Sequence, residues 1–436
     1  MEIKQQPTYD KRKRKLFRNW YYLTVLQISL FLVPFIPIPY LVRVLSPEKF
    51  GITAFAVALA QFLSVFVEYG FSYSAVKRIA IHKGDNEKVT EIYSSAIIIK
   101  ALIFAAVAAV FAMLVLFIPR ISAEKTVFVF AFFMVFADIF FTVWFFQGME
   151  KMRYIAYLNL IMESLYVVLV FLFIKQESDY IYVPLLDALC SFIIGVVSIG
   201  IIYKFFGIKF KMQPWERIRY HFKNSWHYFV SDFASNAYMS ASVFILGFIA
   251  SNAAIVGYYR AALSILTPVK ALFEPIVQAA YPYMSKTASE SREKAVAFLR
   301  TYSFGVAVAA FAVSAALFLS SGFIVKLFLG PEYAASEILL RIMAVVPFLY
   351  TLNMIFCLHI MYPFGMKVNF AKITAWSALL SVALIPLLAF RFQDVGMSGI
   401  MVIGELFISV MAYKYIRSHG FAQTPASDTA QPPQNK

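Results

Sequence analysis

Charged side chains inside apolar runs are where this sequence could do chemistry. They are Glu68, Lys100, Asp138, Glu163, Arg341, Glu405 and the three charges of "RAALSILTPVKALFE", which runs from Arg260 to Glu274 through Lys270. A charge at the centre of a membrane helix costs about 2.5 to 3.5 kcal/mol, and each Leu, Ile, Phe or Val returns only ~0.3 to 0.6. Three charges would cancel most of the insertion free energy of the segment around Lys270, so they are expected to face protein or water. Arginine and lysine hold phosphate by charge-assisted hydrogen bonds, and interspersed carboxylates keep an empty site near neutral and can bind a coupling ion. Arginine itself is no proton carrier, because it stays protonated in proteins.

The spacing refines these roles. Lys270 and Glu274 are four apart and share a helix face, which allows an ordinary i,i+4 pair. Arg260 lies ten residues before Lys270, about 80° around the helix, near the outer mouth. Arg260, Lys270, Lys100 and Arg341 are the candidate substrate cations, and Lys100 and Arg341 stand close enough to helix ends to snorkel toward headgroups. Asp138, Glu163, Glu68 and Glu274 are the candidate gating or coupling groups, with Glu405 a further intramembrane carboxylate. No Walker A sequence, glycine-rich phosphate loop, HExxH or paired-histidine spacing occurs, so no catalytic residue, no metal and no enzyme activity is expected. His359 reads as a packing residue. Cys190 and Cys357, the only cysteines, fall inside predicted helices and imply neither disulfide nor metal.

The elements that must position these groups are membrane helices. Of 436 residues 61% are hydrophobic and 14% charged, against roughly 45–50% and 25% in soluble domains, and a crossing needs about 20 apolar residues. The apolar runs predict an all-α integral membrane protein of about twelve transmembrane helices, over residues 18–44, 50–80, 91–118, 125–147, 154–174, 182–205, 226–249, 255–284, 296–319, 335–361, 369–390 and 396–416. Runs of this length without two-residue alternation exclude a β-barrel. Pro34, Pro37 and Pro39 disrupt the end of the first helix, and Pro268 and Pro275 imply a kink in the eighth.

The formal net charge of +15 is a topology signal. With both termini in the cytoplasm, most of the lysines and arginines fall in cytoplasmic segments, as the positive-inside rule requires. The run "KRKRK" at Lys11 to Lys15 is then a membrane anchor, and nucleic acid is not an expected partner. The domains expected are a basic N-terminus (1–17), a six-helix lobe (18–205), a cytoplasmic linker (206–225), a second six-helix lobe (226–416) and a disordered tail (417–436). An offset of 206 residues aligns Trp20 with Trp226, Tyr22 with Tyr228, Gly51 with Gly257 and Glu68 with Glu274. This suggests two parallel lobes around a central cavity, an arrangement found in transporters.

The stretch "PYLVRVLSPEKFGITAFAVALAQFLSVFVEYGFSYSAVKRIA", Pro39 to Ala80, resembles the N-terminal signature of the bacterial polysaccharide flippases of the O-antigen (Wzx) type. The resemblance extends through "WFFQGMEKMRYIAYLNLI", "VGYYRAALSILTPVKALFEPIVQAAYPYMSK" and "GPEYAASEILLRIMAVVPFLYTLNMIFCLHIMYPFGM". It implies the fold of the multidrug and toxin extrusion transporters and lipid II flippases. It also implies a substrate, an undecaprenyl-pyrophosphate-linked oligosaccharide repeat unit carried across the bacterial inner membrane by alternating access for lipopolysaccharide and related surface glycans. Arg43 and Arg260 are the closest matches to that family's cavity cations. The expected partners are the lipid-linked oligosaccharide, membrane lipids, a polysaccharide polymerase and a chain-length regulator; no cofactor is expected beyond a coupling ion, H+ or Na+. A drug or cation exporter of the same fold and a membrane glycan polymerase are the alternatives, the latter disfavoured by the short links between helices.

Overall fold

The computed structural model describes residues 33–419. The basic run Lys11 to Lys15, the first part of the helix expected at 18–44 and most of the expected tail lie outside the described residues. Within them the chain is predominantly helical with no strand, and seven helices are long and apolar enough to cross a membrane by length and composition.

The expected crossings recur, several of them broken. The end of the first is α1 (Pro37–Val44), which begins on Pro37 after a single 3-10 turn, Val33–Phe35. The second divides into α2 (Pro47–Glu68) and α3 (Phe71–Ile81). The third is α4 (Asn86–Phe117), and the fourth divides into α5 (Lys125–Ala137) and α6 (Val143–Gly148). The fifth and sixth are α7 (Met152–Phe173) and α8 (Tyr182–Phe206), and the seventh is α9 (Trp215–Ile249). The eighth divides into α10 (Ala253–Ala271) and α11 (Glu274–Glu290). The ninth comprises α12 (Arg292–Phe298), a π-helical turn and α13 (Phe304–Phe328). The tenth comprises α14 (Ser336–Met343), α15 (Val346–Met354) and a π-helical turn. The last two are α16 (Lys367–Leu384) and α17 (Phe390–His419).

Starts and breaks follow local chemistry. Ser46 caps α2 by accepting from Lys49 N at 3.3 Å, with Pro47 in the first turn, and Asp85 caps α4 by accepting from Glu87 N and Lys88 N; both satisfy amides that a helix start leaves unpaired. The second crossing breaks where Tyr69 and Gly70 take left-handed conformations, φ 45° and 67°. In the eighth, Pro268 is carried inside α10, whereas the break falls at Leu272–Phe273. Pro275 lacks the amide that would bond the carbonyl of Ala271, and its ring would strike that carbonyl. The chain therefore stops and restarts ahead of it.

By packing, the chain divides into two compact units that meet between Ile245 and Leu246. That boundary lies inside α9 and beyond the linker expected at 206–225, of which residues 215–225 are helical. The reason is that the polar residues of this stretch are satisfied by the first unit's own helices. Arg78 on α3 bonds His221 Nδ1 and donates to Ser225 Oγ at 3.1 Å, and Glu91 on α4 meets His221 Nε2 at 3.3 Å and Arg217 at 3.1 Å. In the first unit α5 packs between α2 and α8, and in the second α14 packs against α10, α13 and α17.

Candidate functional site

In the first unit, three of the expected residues come together. Lys100, on α4, is fully buried, and its ammonium donates to Glu68 Oε1 at 2.7 Å and to the backbone carbonyl of Asp138 at 2.7 Å. The second bond explains why the cation is there. The fourth crossing breaks after Ala137, which leaves carbonyls without helical partners, and Lys100 takes the one at Asp138. Ser198 takes another, donating to Phe140 O at 3.3 Å. Gly195 lets α8 approach the break, since a Cβ there would lie 2.9 Å from Phe140 Cβ. Glu68, the last residue of α2, also accepts from Ser72 Oγ at 3.3 Å. The Asp138 carboxylate accepts from Ser64 and stands within electrostatic reach of Glu68, Lys100 and Asp187.

Asp187 went unmarked in the sequence reading although it meets the same criterion, an ionisable group in the apolar run "VPLLDALCSF". Glu163, half-buried on α7, stands within electrostatic reach of Cys190, as Asp187 also does.

The second unit assembles a different set. Lys270, near the end of α10, places its ammonium 4.4 Å from the centroid of the Tyr350 ring. Tyr350 donates its hydroxyl to Glu274 Oε1 at 2.9 Å. The i,i+4 pair between Lys270 and Glu274 does not form, because the break at Leu272–Phe273 puts the two residues on separate helices and removes the helical register. Lys270 makes no ion pair among the described residues. Glu405, on α17, is within its electrostatic reach; that carboxylate accepts from Asn353 Nδ2 at 2.8 Å, and Ser409 donates to Asn353 Oδ1 at 2.7 Å. Tyr350 and Asn353 were not legible as site residues, since uncharged polar groups in an apolar run are common and only their partners distinguish them.

Of the remaining cations, Arg43 and Arg260 are exposed. Arg341 is also exposed, held by Glu337 at 2.6 Å and by Ser321 Oγ at 3.2 Å. His359 is buried with both ring nitrogens bonded, to Ser303 Oγ at 2.9 Å and to Val277 O at 3.0 Å, which makes it a satisfied packing residue. Cys190 and Cys357 are free thiols, and no metal-holding cluster occurs among the described residues.

Apolar crossings broken beside buried charges are the arrangement of membrane transporters, in which irregular backbone at membrane depth is tolerated only inside protein or beside a cavity. The chain belongs to the polysaccharide biosynthesis protein family, whose model matches residues 16–288. It is a multi-pass membrane protein and not an enzyme. Two relatives carry the name "Putative O-antigen transporter". One, from Escherichia coli strain K12, is 29% identical over 94% of this chain and 99% of its own. The other, from Shigella dysenteriae, is 25% identical over 89% of this chain and 96% of its own. Among solved structures the fold is similar to the lipid II flippase MurJ in an inward closed conformation, with TM-score 0.70, 14% identity and coverage of 91% of this chain and 87% of that one. It is also similar to an inward-facing multidrug resistance transporter of the MATE family, with TM-score 0.65, 16% identity and coverage of 90% and 94%.

Proposed function

We propose that this protein is a flippase that moves an undecaprenyl-pyrophosphate-linked oligosaccharide repeat unit from the cytoplasmic to the periplasmic leaflet of the inner membrane, by alternating access. The family and the names of the two relatives support polysaccharide export. The observation that carries the anionic headgroup is Lys270. Its charge sits on the face of Tyr350 with no carboxylate in salt-bridge contact among the described residues, an arrangement that stabilises a cation modestly, by ~0.5 to 2 kcal/mol. An incoming diphosphate offers more, through charge-assisted hydrogen bonds.

Lys100 differs, since two of its three protons are committed inside the first unit. Within the second unit Lys270 and the exposed Arg260 are therefore the substrate cations, and Lys100 supports the fold around Asp138 in the first. Asp138, Glu68 and Asp187 form the group suited to a coupling proton or sodium ion, with Glu274 beside the substrate cation. The isoprenoid tail stays in lipid, and no covalent step is involved.

The test is surface glycan on cells whose own transporter gene has been replaced by the Lys270→Ala variant. Loss of glycan with accumulation of the lipid-linked repeat unit on the cytoplasmic side is expected, with Lys270→Arg retaining export. Undiminished glycan in Lys270→Ala, at normal protein level, would remove Lys270 from headgroup binding.

A further inference from the structure

Lys270 has two carboxylates in its neighbourhood, Glu274 and Glu405, and is in salt-bridge contact with neither among the described residues. Four helices of the second unit bring the group together: Lys270 comes from α10, Glu274 from α11, Tyr350 and Asn353 from α15, and Glu405 from α17. Of these, α15 packs against the other three. Opposite charges away from bulk water attract strongly at contact, so an ion pair is the ordinary outcome of such a gathering. Its absence requires that the carboxylates be held elsewhere.

Each carboxylate is held by an uncharged donor on α15. Tyr350 donates its hydroxyl to Glu274 Oε1 at 2.9 Å. Asn353 Nδ2 donates to Glu405 Oε2 at 2.8 Å and to the Glu405 carbonyl at 3.1 Å, and Ser409 fixes that amide by donating to Oδ1 at 2.7 Å. The two donors are three residues apart on α15 and so share one face of it. A phenol and an amide satisfy carboxylate oxygens without drawing on the lysine.

Tyr350 acts at both ends of one rigid ring. Its face takes the Lys270 ammonium, 4.4 Å from the centroid, while the hydroxyl at its edge takes Glu274. The break at Leu272–Phe273 removes the helical register between Lys270 and Glu274 but does not by itself keep them apart. Only three residues separate them, and both side chains are long and half-buried. A Glu274 carboxylate without the hydroxyl would exchange a neutral donor for a charge-assisted bond to Lys270, which is roughly twice as strong.

We infer that Tyr350 is a positioning residue of the headgroup site: its hydroxyl holds Glu274 away, so that Lys270 stays unpaired on the ring and open to a diphosphate. The identity of the anion rests on the flippase reading; the role of the hydroxyl rests on geometry. A cation locked to a carboxylate offers a phosphate little, because the incoming anion must first displace the carboxylate. A cation on an aromatic face is held in place with its three N–H donors unspent. Lys100 is the contrast within the same chain, since it is paired with Glu68, capped by a carbonyl and fully buried.

The test compares wild type with Tyr350→Phe, which keeps the ring face and removes only the hydroxyl, and with Tyr350→Phe combined with Glu274→Gln, which can form no ion pair. Acylation of Lys270 by a water-soluble amine reagent is timed in the detergent-solubilised full chain by peptide mass spectrometry, because an ammonium locked to a carboxylate presents less free amine. Tyr350→Phe is expected to react several-fold more slowly than wild type, and the double variant at about the wild-type rate, a rescue that a merely structural tyrosine would not give. An unchanged rate in Tyr350→Phe, a rate still slow in the double variant, or a Lys270 that reacts in none of the three would overturn the role of the hydroxyl. Surface glycan in cells carrying Tyr350→Phe at normal protein level reports separately on the flippase reading. Where Lys270 acylation is slowed, a several-fold fall in glycan supports that reading; undiminished glycan removes Lys270 from headgroup binding and leaves its positioning by Tyr350 standing.

Discussion

Lys100 is the residue whose place in the molecule differs most from what its position in the chain suggested. In the run expected at 91–118 it lies close enough to an end to reach headgroups, yet it stands near the middle of α4 and is turned inward, fully buried, between Glu68 and the carbonyl that the broken fourth crossing exposes. Removing one member of such a pair leaves the other charge uncompensated, at a cost of about 3 to 5 kcal/mol, whereas removing both for apolar groups of similar shape is often near neutral. Glu68→Ala should therefore lower the thermal stability of the detergent-solubilised protein sharply, and Glu68→Gln combined with Lys100→Met should recover most of it. Equal melting temperatures for wild type and Glu68→Ala would show that the pair is not structural. The sequence marked Glu68, Lys100 and Asp138 one at a time, through the expense of charge in hydrocarbon. That they form one group is a matter of three helices meeting, which no local pattern encodes.

At the scale of elements, the breaks carry the information. Glu68 and Glu274 align under the 206-residue offset, and the second and eighth crossings break immediately beside them, at Tyr69–Gly70 and at Leu272–Phe273. Pro275 made the second of these readable. The break after Ala137 has neither proline nor glycine nearby and was not readable, because the bonds that sustain it come from Lys100 and Ser198 on other helices.

The helical start of α9 gives an element-scale prediction about pH. His221 is buried beside Arg78, and both effects disfavour its cation, pushing its pKa from 6.5 down to about 4. Arg78 faces it from α3, Glu91 and Lys88 from α4, and Arg217 from its own helix. The unfolded chain binds the proton first, so the stability this residue contributes is complete above pH 6.5 and is lost progressively as pH falls to about 4. His221→Gln should flatten that part of the stability–pH curve. A wild-type curve no steeper than the variant's between pH 6.5 and 4 would show that the imidazole does not hold the helix.

At the scale of the whole molecule, the large apolar side chains left exposed, such as Leu116, Phe117, Leu319 and Phe323, belong to helices that meet lipid. The proposed orientation puts the link before α9 in the cytoplasm and the turn before α14 outside. Lys209→Cys, at an exposed position, should then react with a membrane-impermeant maleimide in inverted vesicles and not in intact cells. Glu332→Cys, also exposed, should show the opposite, and the reversed pattern would invert the topology.

Composition and the length of apolar runs determined, without any coordinates, that the chain is an all-helical membrane protein and which charges are too costly to face lipid. Those properties are local, set by residues adjacent in the chain and by the thickness of the bilayer. The tertiary structure alone decided which charge meets which partner: that Lys100 is locked to Glu68, that Lys270 leaves Glu274 for the face of Tyr350, and that α9 is fastened to the first unit through Arg78 and His221. Partner choice depends on groups tens to more than a hundred residues apart, and on helix breaks that change register within a single crossing, so it appears only once the helices are packed.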